Sequence, residues 1–226
     1  MKAGDVNGDG IIDKVFLYGN KPESPGGFSD NITLVIQDGR THRMTTVQFQ
    51  SNAGYNARLF LGDFNKDHVS DILVSIDSGG SGGYGFFYLY SFKNNHLQEM
   101  FNVEKYNSLY KFNVTYEDYY KVRVDSPRLQ LPFIIDISNK GKDYLSQLYF
   151  ENGKLKKPTK GEALALGALY PIVRNEKITA YDLLAYQRII GTFNADTLGY
   201  IVNHLTWKDS QFVSSQLSLS IPGKMT

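Results

Sequence analysis

The sequence predicts an all-β, propeller-like protein of about four blades. Three observations carry that expectation: an acidic nine-residue loop occurs twice, each copy runs straight into an apolar strand-like segment, and the spacing of the copies sets a repeat that fills the chain. Composition agrees. Of 226 residues, 42% are hydrophobic and 14% aromatic, and flat rings pack well on a pleated surface.

The first loop is Asp5-Val6-Asn7-Gly8-Asp9-Gly10-Ile11-Ile12-Asp13 and the second is Asp63-Phe64-Asn65-Lys66-Asp67-His68-Val69-Ser70-Asp71. Oxygen-bearing side chains fall at loop positions 1, 3, 5 and 9 in both. A tight loop turns alternate carboxylates and amides inward, and the carbonyl of position 7, Ile11 or Val69, supplies a further oxygen. That pattern suits Ca²⁺, which takes about six to eight oxygens. Position 6 differs: Gly10 permits a left-handed turn, whereas His68 in the second loop carries a backbone cost and predicts weaker affinity.

After the first loop, residues 14–19, 31–36 and 44–49 read as strands, separated by the Pro/Gly/Ser-rich stretch 22–27 and by the hairpin dipeptide Asp38-Gly39. No strand is expected before Asp5. The second unit opens with Arg58–Leu61, passes through its loop, and continues with residues 72–77, 85–92 and 96–103, with Asn94-Asn95 as a tight turn. A degenerate third copy is expected late in the chain, where Tyr181-Asp182-Leu183-Leu184-Ala185 matches Ser70-Asp71-Ile72-Leu73-Val74. Its loop would place Arg174, Glu176 and Ile178 at positions 1, 3 and 5, and an Arg174–Asp182 contact is expected to replace the ion.

Loop starts at 5, 63 and 174 are 58 and 111 residues apart, so one loop-free unit is expected between the second and third copies. Residues 110–116, 120–124, 131–137 and 144–150 supply strand-like runs for it. The units are expected at roughly 1–57, 58–105, 106–168 and 169–226, forming a single domain. Residues 211–221 would either supply the missing first strand of the first unit, closing a ring, or complete the last. Residues 161–166 and 183–190 fit helical periodicity about as well as strand; alignment with the second unit favours strand for 183–190 alone.

Several classes are excluded or disfavoured. There are no cysteines, hence no disulfides, thiolate zinc sites or Cys nucleophile. A net charge of +1 argues against nucleic acid as partner. Residues 1–100 carry 8 Lys and Arg against 11 Asp and Glu, the remainder 16 against 12, so the acidic excess lies with the loops. No apolar run approaches the roughly 20 residues of a membrane-spanning helix, and Met1-Lys2-Ala3 is too short for a secretory leader.

The sequence resembles the FG-GAP/VCBS repeat proteins, which include the calcium-bearing blades of integrin α-subunit propellers. More narrowly, residues 31–39, Leu61-Gly62-Asp63, residues 75–83, Tyr186-Gln187-Arg188 and residues 194–200 look like repeat proteins of spore-forming bacteria that carry a spore-coat label. The resemblance implies a calcium-stabilised propeller with two Ca²⁺ sites, Asp5, Asn7, Asp9, Asp13 and the Ile11 carbonyl in one, Asp63, Asn65, Asp67, Asp71 and the Val69 carbonyl in the other. It also implies a secreted or cell- or spore-surface protein, whose leader is absent from this chain.

The remaining motifs offer little chemistry. The glycine-rich run Ser78–Gly85 lacks the Gly-Lys-Ser/Thr ending and following helix of a phosphate loop, and reads as a hairpin tip where glycine admits a ligand or a neighbouring backbone. His42, His68, His96 and His204 have no zinc-protease spacing. Asp77, Glu117, Asp118 and Asp136 read as surface or turn residues. Tyr84, Phe86, Tyr88 and Tyr90 alternate along one strand and are expected to pack between blades; exposed tyrosines at a rim would stack on sugars. The expectation is therefore a non-enzymatic structural or adhesion module that meets a surface protein or polysaccharide. A lectin-like propeller is the alternative, and a polysaccharide-acting enzyme comes third.

Overall fold

A computed structural model describes residues 1–21, 27–173 and 180–223. The expected positions Arg174, Glu176 and Ile178, and the Arg174–Asp182 contact, lie outside the described residues.

Four antiparallel sheets follow one another along the chain, and within each the strands pair in sequence order. The first holds β1 (Lys2–Gly4), β2 (Asp13–Asn20), β3 (Asp30–Gln37) and β4 (Met44–Gln48); the second holds β5 (Tyr55–Gly62), β6 (Asp71–Asp77), β7 (Gly85–Ser91) and β8 (Gln98–Asn102). The third has three strands, β9 (Asn113–Glu117), β10 (Lys121–Ser126) and β11 (Leu131–Asp136). The fourth has β12 (Glu162–Ile172), β13 (Asp182–Ile190), β14 (Thr197–Lys208) and β15 (Gln211–Ser220). Two short helices flank the third sheet, α1 (Val103–Leu109) and α2 (Lys142–Leu148).

The all-β expectation holds, with corrections. A first strand precedes the first loop: Gly4 pairs with Asp13 just as Gly62 pairs with Asp71. The C-terminal strand β15 pairs with β14 and completes the fourth sheet. Residues 162–172 form one continuous strand of that sheet, so the boundary expected at 168 falls inside a strand and the helical alternative for 161–166 is lost. The run 144–150, read as strand, is largely helix α2; Leu145 and Leu148 recur at helical spacing and both pack on the core.

Packing departs from chain order. One core joins Val15, Leu34 and Ile36 of the first sheet, Ile72, Val74 and Leu89 of the second, and Leu183 and Leu205 of the fourth. A second core joins Val122, Val124 and Ile135 of the third sheet to Ile189 and Ile201 of the fourth. The fourth sheet therefore stands between the second and third. Each fully buried Ile, Leu or Val contributes about 1.5–3 kcal/mol of transfer free energy, so these seams hold the sheets together. Strand β6 is buried over Asp71–Ile76, as expected for a strand covered on both faces.

The seam between the second and fourth sheets is aromatic. Tyr181 meets Phe60 edge-on at 5.0 Å and Phe64 at 5.7 Å, while Phe212 lies 6.5 Å from Phe64 and 6.2 Å from Phe101. The first and second sheets meet where Phe49 stacks on Tyr88 at 4.8 Å. Of the expected aromatic row, Tyr88 and Tyr90 thus pack between sheets, whereas Tyr84 is exposed.

Candidate functional site

Both acidic loops connect the first two strands of their sheets, and their internal hydrogen bonds correspond position by position. In the first, Asp5 accepts from the Gly8 and Gly10 N–H groups at 2.7 and 2.9 Å, Asn7 Oδ1 from Asp9 N–H at 3.0 Å, and Asp9 Oδ1 from Ile11 N–H at 2.9 Å. In the second, Asp63 accepts from Lys66 and His68 N–H at 2.7 and 3.0 Å, Asn65 Oδ1 from Asp67 N–H at 3.0 Å, and Asp67 Oδ1 from Val69 N–H at 3.0 Å. Short polar side chains that capture backbone N–H groups two to five residues on are what bend a chain this tightly.

Position 2 anchors each loop, a role the oxygen pattern does not reveal. Val6 and Phe64 are fully buried, and their N–H groups donate to the position-9 carboxylates Asp13 and Asp71, each at 2.9 Å. Position 4 was missed as well: Gly8 (φ +80°) and Lys66 (φ +69°) are both left-handed, as are Gly10 (φ +81°) and His68 (φ +65°) at position 6. The second loop thus places two side-chain-bearing residues where the first uses glycine.

The position-9 carboxylates differ. Asp13 is satisfied on both oxygens, the second accepting from Gly39 N–H at 2.8 Å. Asp71 is fully buried, and its Oδ1 has no hydrogen-bond partner. Burial, with the charges of Asp67 and Asp63 adding, pushes its carboxyl up to about 7 against the opposing Phe64 N–H and Ser91 hydroxyl. At position 5, Asp9 pairs with Arg40 at 2.8 Å and Asp67 with Lys93 at 3.2 Å; the Arg40 guanidinium holds the Asp9 carboxyl below the usual range.

Among the described residues, no three His, Cys, Asp or Glu side chains converge as a ready metal cluster. The second loop nevertheless suits a hard cation on one observation: a buried carboxylate oxygen without a donor, beside two further carboxylates, is the environment that a divalent ion neutralises. In the first loop the corresponding oxygens are already satisfied.

The loops also stitch the sheets. Asp5 O accepts from Ser70 N–H at 3.4 Å, and Asp63 O accepts from Tyr181 N–H at 2.7 Å. Ser70 and Tyr181 each immediately precede the first residue of the second strand in their sheets, so first loop to second sheet and second loop to fourth sheet are the same relation repeated. Asn94 N–H donates to Asn7 O at 2.8 Å, and Lys93 Nζ to Asp67 O at 3.3 Å, tying one turn to both loops.

Asp77, Asp118 and Asp136 form surface ion pairs with Arg58, Lys154 and Lys121. Asp196 lies buried where the third and fourth sheets meet. It accepts from Lys140 Nζ at 2.8 Å and from the Tyr144 hydroxyl at 2.5 Å, with Tyr116 OH 2.8 Å from Tyr144 OH. Burial raises both phenols, Tyr116 to about 12. A Cβ on Gly191 would lie 1.9 Å from Asp196 Oδ2, so this network needs glycine there.

Comparison with known proteins finds two families along the chain. Residues 5–74 match the FG-GAP-like repeat, and residues 110–220 match the YybI C-terminal domain. Over 221 residues the chain is 43% identical to a Bacillus subtilis (strain 168) protein described as "Uncharacterized protein YybI", covering 97% of this chain and 83% of that protein. The chain belongs to the YybI family. No solved structure matches it. In family terms, both intact loops fall in the repeat region, whereas the third and fourth sheets with their Asp196 network make up the YybI C-terminal domain.

Proposed function

We propose that this YybI-family chain is a calcium-stabilised, propeller-like repeat protein that works as a non-enzymatic binding or adhesion module at a cell or spore surface. The observation that carries the reading is the donor-less Asp71 Oδ1 inside the Asp63–Asp71 loop, at the seam with the fourth sheet. Ca²⁺ held by Asp63, Asn65, Asp67, the Val69 carbonyl and Asp71 would replace the missing donor and fix the strand β6 that follows. Asp5, Asn7, Asp9, the Ile11 carbonyl and Asp13 form the corresponding first site. The repeated loop-to-sheet hydrogen bonds support blade-like stacking. Loops of this kind in extracellular modules bind at about 10⁻⁴–10⁻³ M, which favours a calcium-rich exterior.

Calorimetric titration with calcium tests the assignment. Two sites are expected, with Asp63→Ala abolishing one and Asp5→Ala the other. Absence of binding, or binding indifferent to both substitutions, refutes it.

A further inference from the structure

A cavity of about 470 Å³ opens where the glycine-rich hairpin of the second sheet rests on the fourth, away from both acidic loops. Its size is that of a small-molecule pocket. Glycine makes the junction possible: a Cβ on Gly167 would lie 2.7 Å from the Gly83 carbonyl, and β12 bulges between Leu166 and Ala168. The glycine run Ser78–Gly85 is therefore a place where a neighbouring backbone comes close, and the cavity is the space left beside it.

Tyr170, Tyr186 and Tyr200 wall this space. Tyr170 is 55% exposed and meets Tyr186 edge-on, with centroids 5.9 Å apart and planes at 73°, so the pair offers ring surface in two orientations. Phenol rings that combine an uncovered face with a hydroxyl suit a pyranose, whose C–H face stacks on the ring while its hydroxyls reach the polar rim.

Arg188 adds charge to the same wall. Its Nη1 donates to Asn194 O at 2.9 Å and Thr197 Oγ1 at 3.3 Å, and its Nη2 to Asn194 Oδ1 at 2.7 Å and to Ser81 O and Gly82 O at 3.1 and 3.3 Å. All five partners are neutral. Among the described residues, no ion pair involves Arg188 and no acidic residue lines the cavity. The guanidinium is thus a fixed positive charge with no acidic partner among the described residues, and its terminal N–H groups are already committed.

We propose that this cavity is a saccharide subsite selective for an acidic sugar, a hexuronate residue of a polysaccharide. The proposal rests on the reading of the chain as a binding module and supplies its ligand class. The tyrosines provide the stacking platform. Because Arg188 cannot form a bidentate pair without releasing the hairpin, it selects the carboxylate by charge at a distance, so the preference is modest and screened by salt.

The test titrates the calcium-saturated full chain with a hyaluronan oligosaccharide, and separately with a chitin oligosaccharide of equal length, which lacks carboxylates. Hyaluronan is expected to bind at least about threefold more tightly at low ionic strength, the difference shrinking in about 0.5 M salt. Tyr170→Ala is expected to weaken binding about tenfold at an unchanged melting temperature. Should that variant melt lower, Tyr170→Leu keeps apolar bulk without the ring and is expected to show the same loss. No binding of either sugar, equal binding of both, or affinity that survives loss of the ring overturns the proposal. Calcium-dependent melting in a chain that binds no sugar refutes this inference alone; hyaluronan binding in a chain indifferent to calcium refutes the metal reading alone.

Discussion

The two acidic loops share a hydrogen-bond scaffold and differ in what completes it. In the first, Gly39 from the β3–β4 turn donates the last hydrogen bond to Asp13, and glycine occupies both left-handed positions. In the second, Asp71 keeps a buried oxygen without a donor, and Lys66 and His68 hold the left-handed positions despite their side chains. The first loop is self-sufficient. The second is more costly without an ion. A motif read as two copies, the second weakened at His68, thus separates into a loop whose position-9 carboxylate is closed by protein and a loop whose position-9 carboxylate is left open.

Removing Asp13 has the largest expected effect on this contrast. Asp13→Ala leaves the Val6 and Gly39 N–H groups without their acceptor and is expected to cost roughly 2–4 kcal/mol already in EDTA, by urea unfolding, with the loss of ion binding added in calcium. A cost that disappears in EDTA would show that Asp13 acts mainly through an ion, and the two loops would be alike.

Asp71→Asn is expected to change sign with conditions. In EDTA, neutralising a buried and partly unsatisfied carboxylate is expected to leave stability unchanged or raise it by about 1 kcal/mol. In calcium the same substitution forfeits the stabilisation that binding supplies, about 1–3 kcal/mol at 10 to 100 times Kd. Urea curves in the two buffers decide it. The same sign in both removes the distinction between the loops.

The smallest effect sharpens the backbone side of the comparison. His68→Gly relieves a left-handed side-chain-bearing residue, offset by glycine's greater freedom in the unfolded chain, for a net gain of at most about 1 kcal/mol with tighter calcium binding. Gly10→Ala in the first loop should lose a similar amount. If both substitutions are silent, backbone strain does not separate the loops.

Much of this was legible in the sequence because it rests on local rules. Alternate oxygens located both loops, turn dipeptides located Asp38-Gly39 and Asn94-Asn95, and matching Asp182 to Asp71 placed β13, where Asp182 begins the strand as Asp13 and Asp71 do. Strand β1 escaped notice because its three residues carry no apolar alternation and are defined only by pairing with Asp13–Val15. Helix α2 was mistaken for strand because a short apolar run has no decisive period. Register, burial and order in space are tertiary properties: the placement of the fourth sheet beside the second, the orphaned oxygen of Asp71 and the burial of Asp196 have no counterpart in residue spacing. The same holds for the tyrosine cavity, which three strands and a distant hairpin assemble.

Thermal unfolding of the unmodified chain, in excess EDTA and then in about 10 mM calcium, tests the central claim most directly. Binding at the affinity typical of such loops predicts a saturable rise in melting temperature of roughly 3–10 °C. A melting temperature that is the same in both would contradict it.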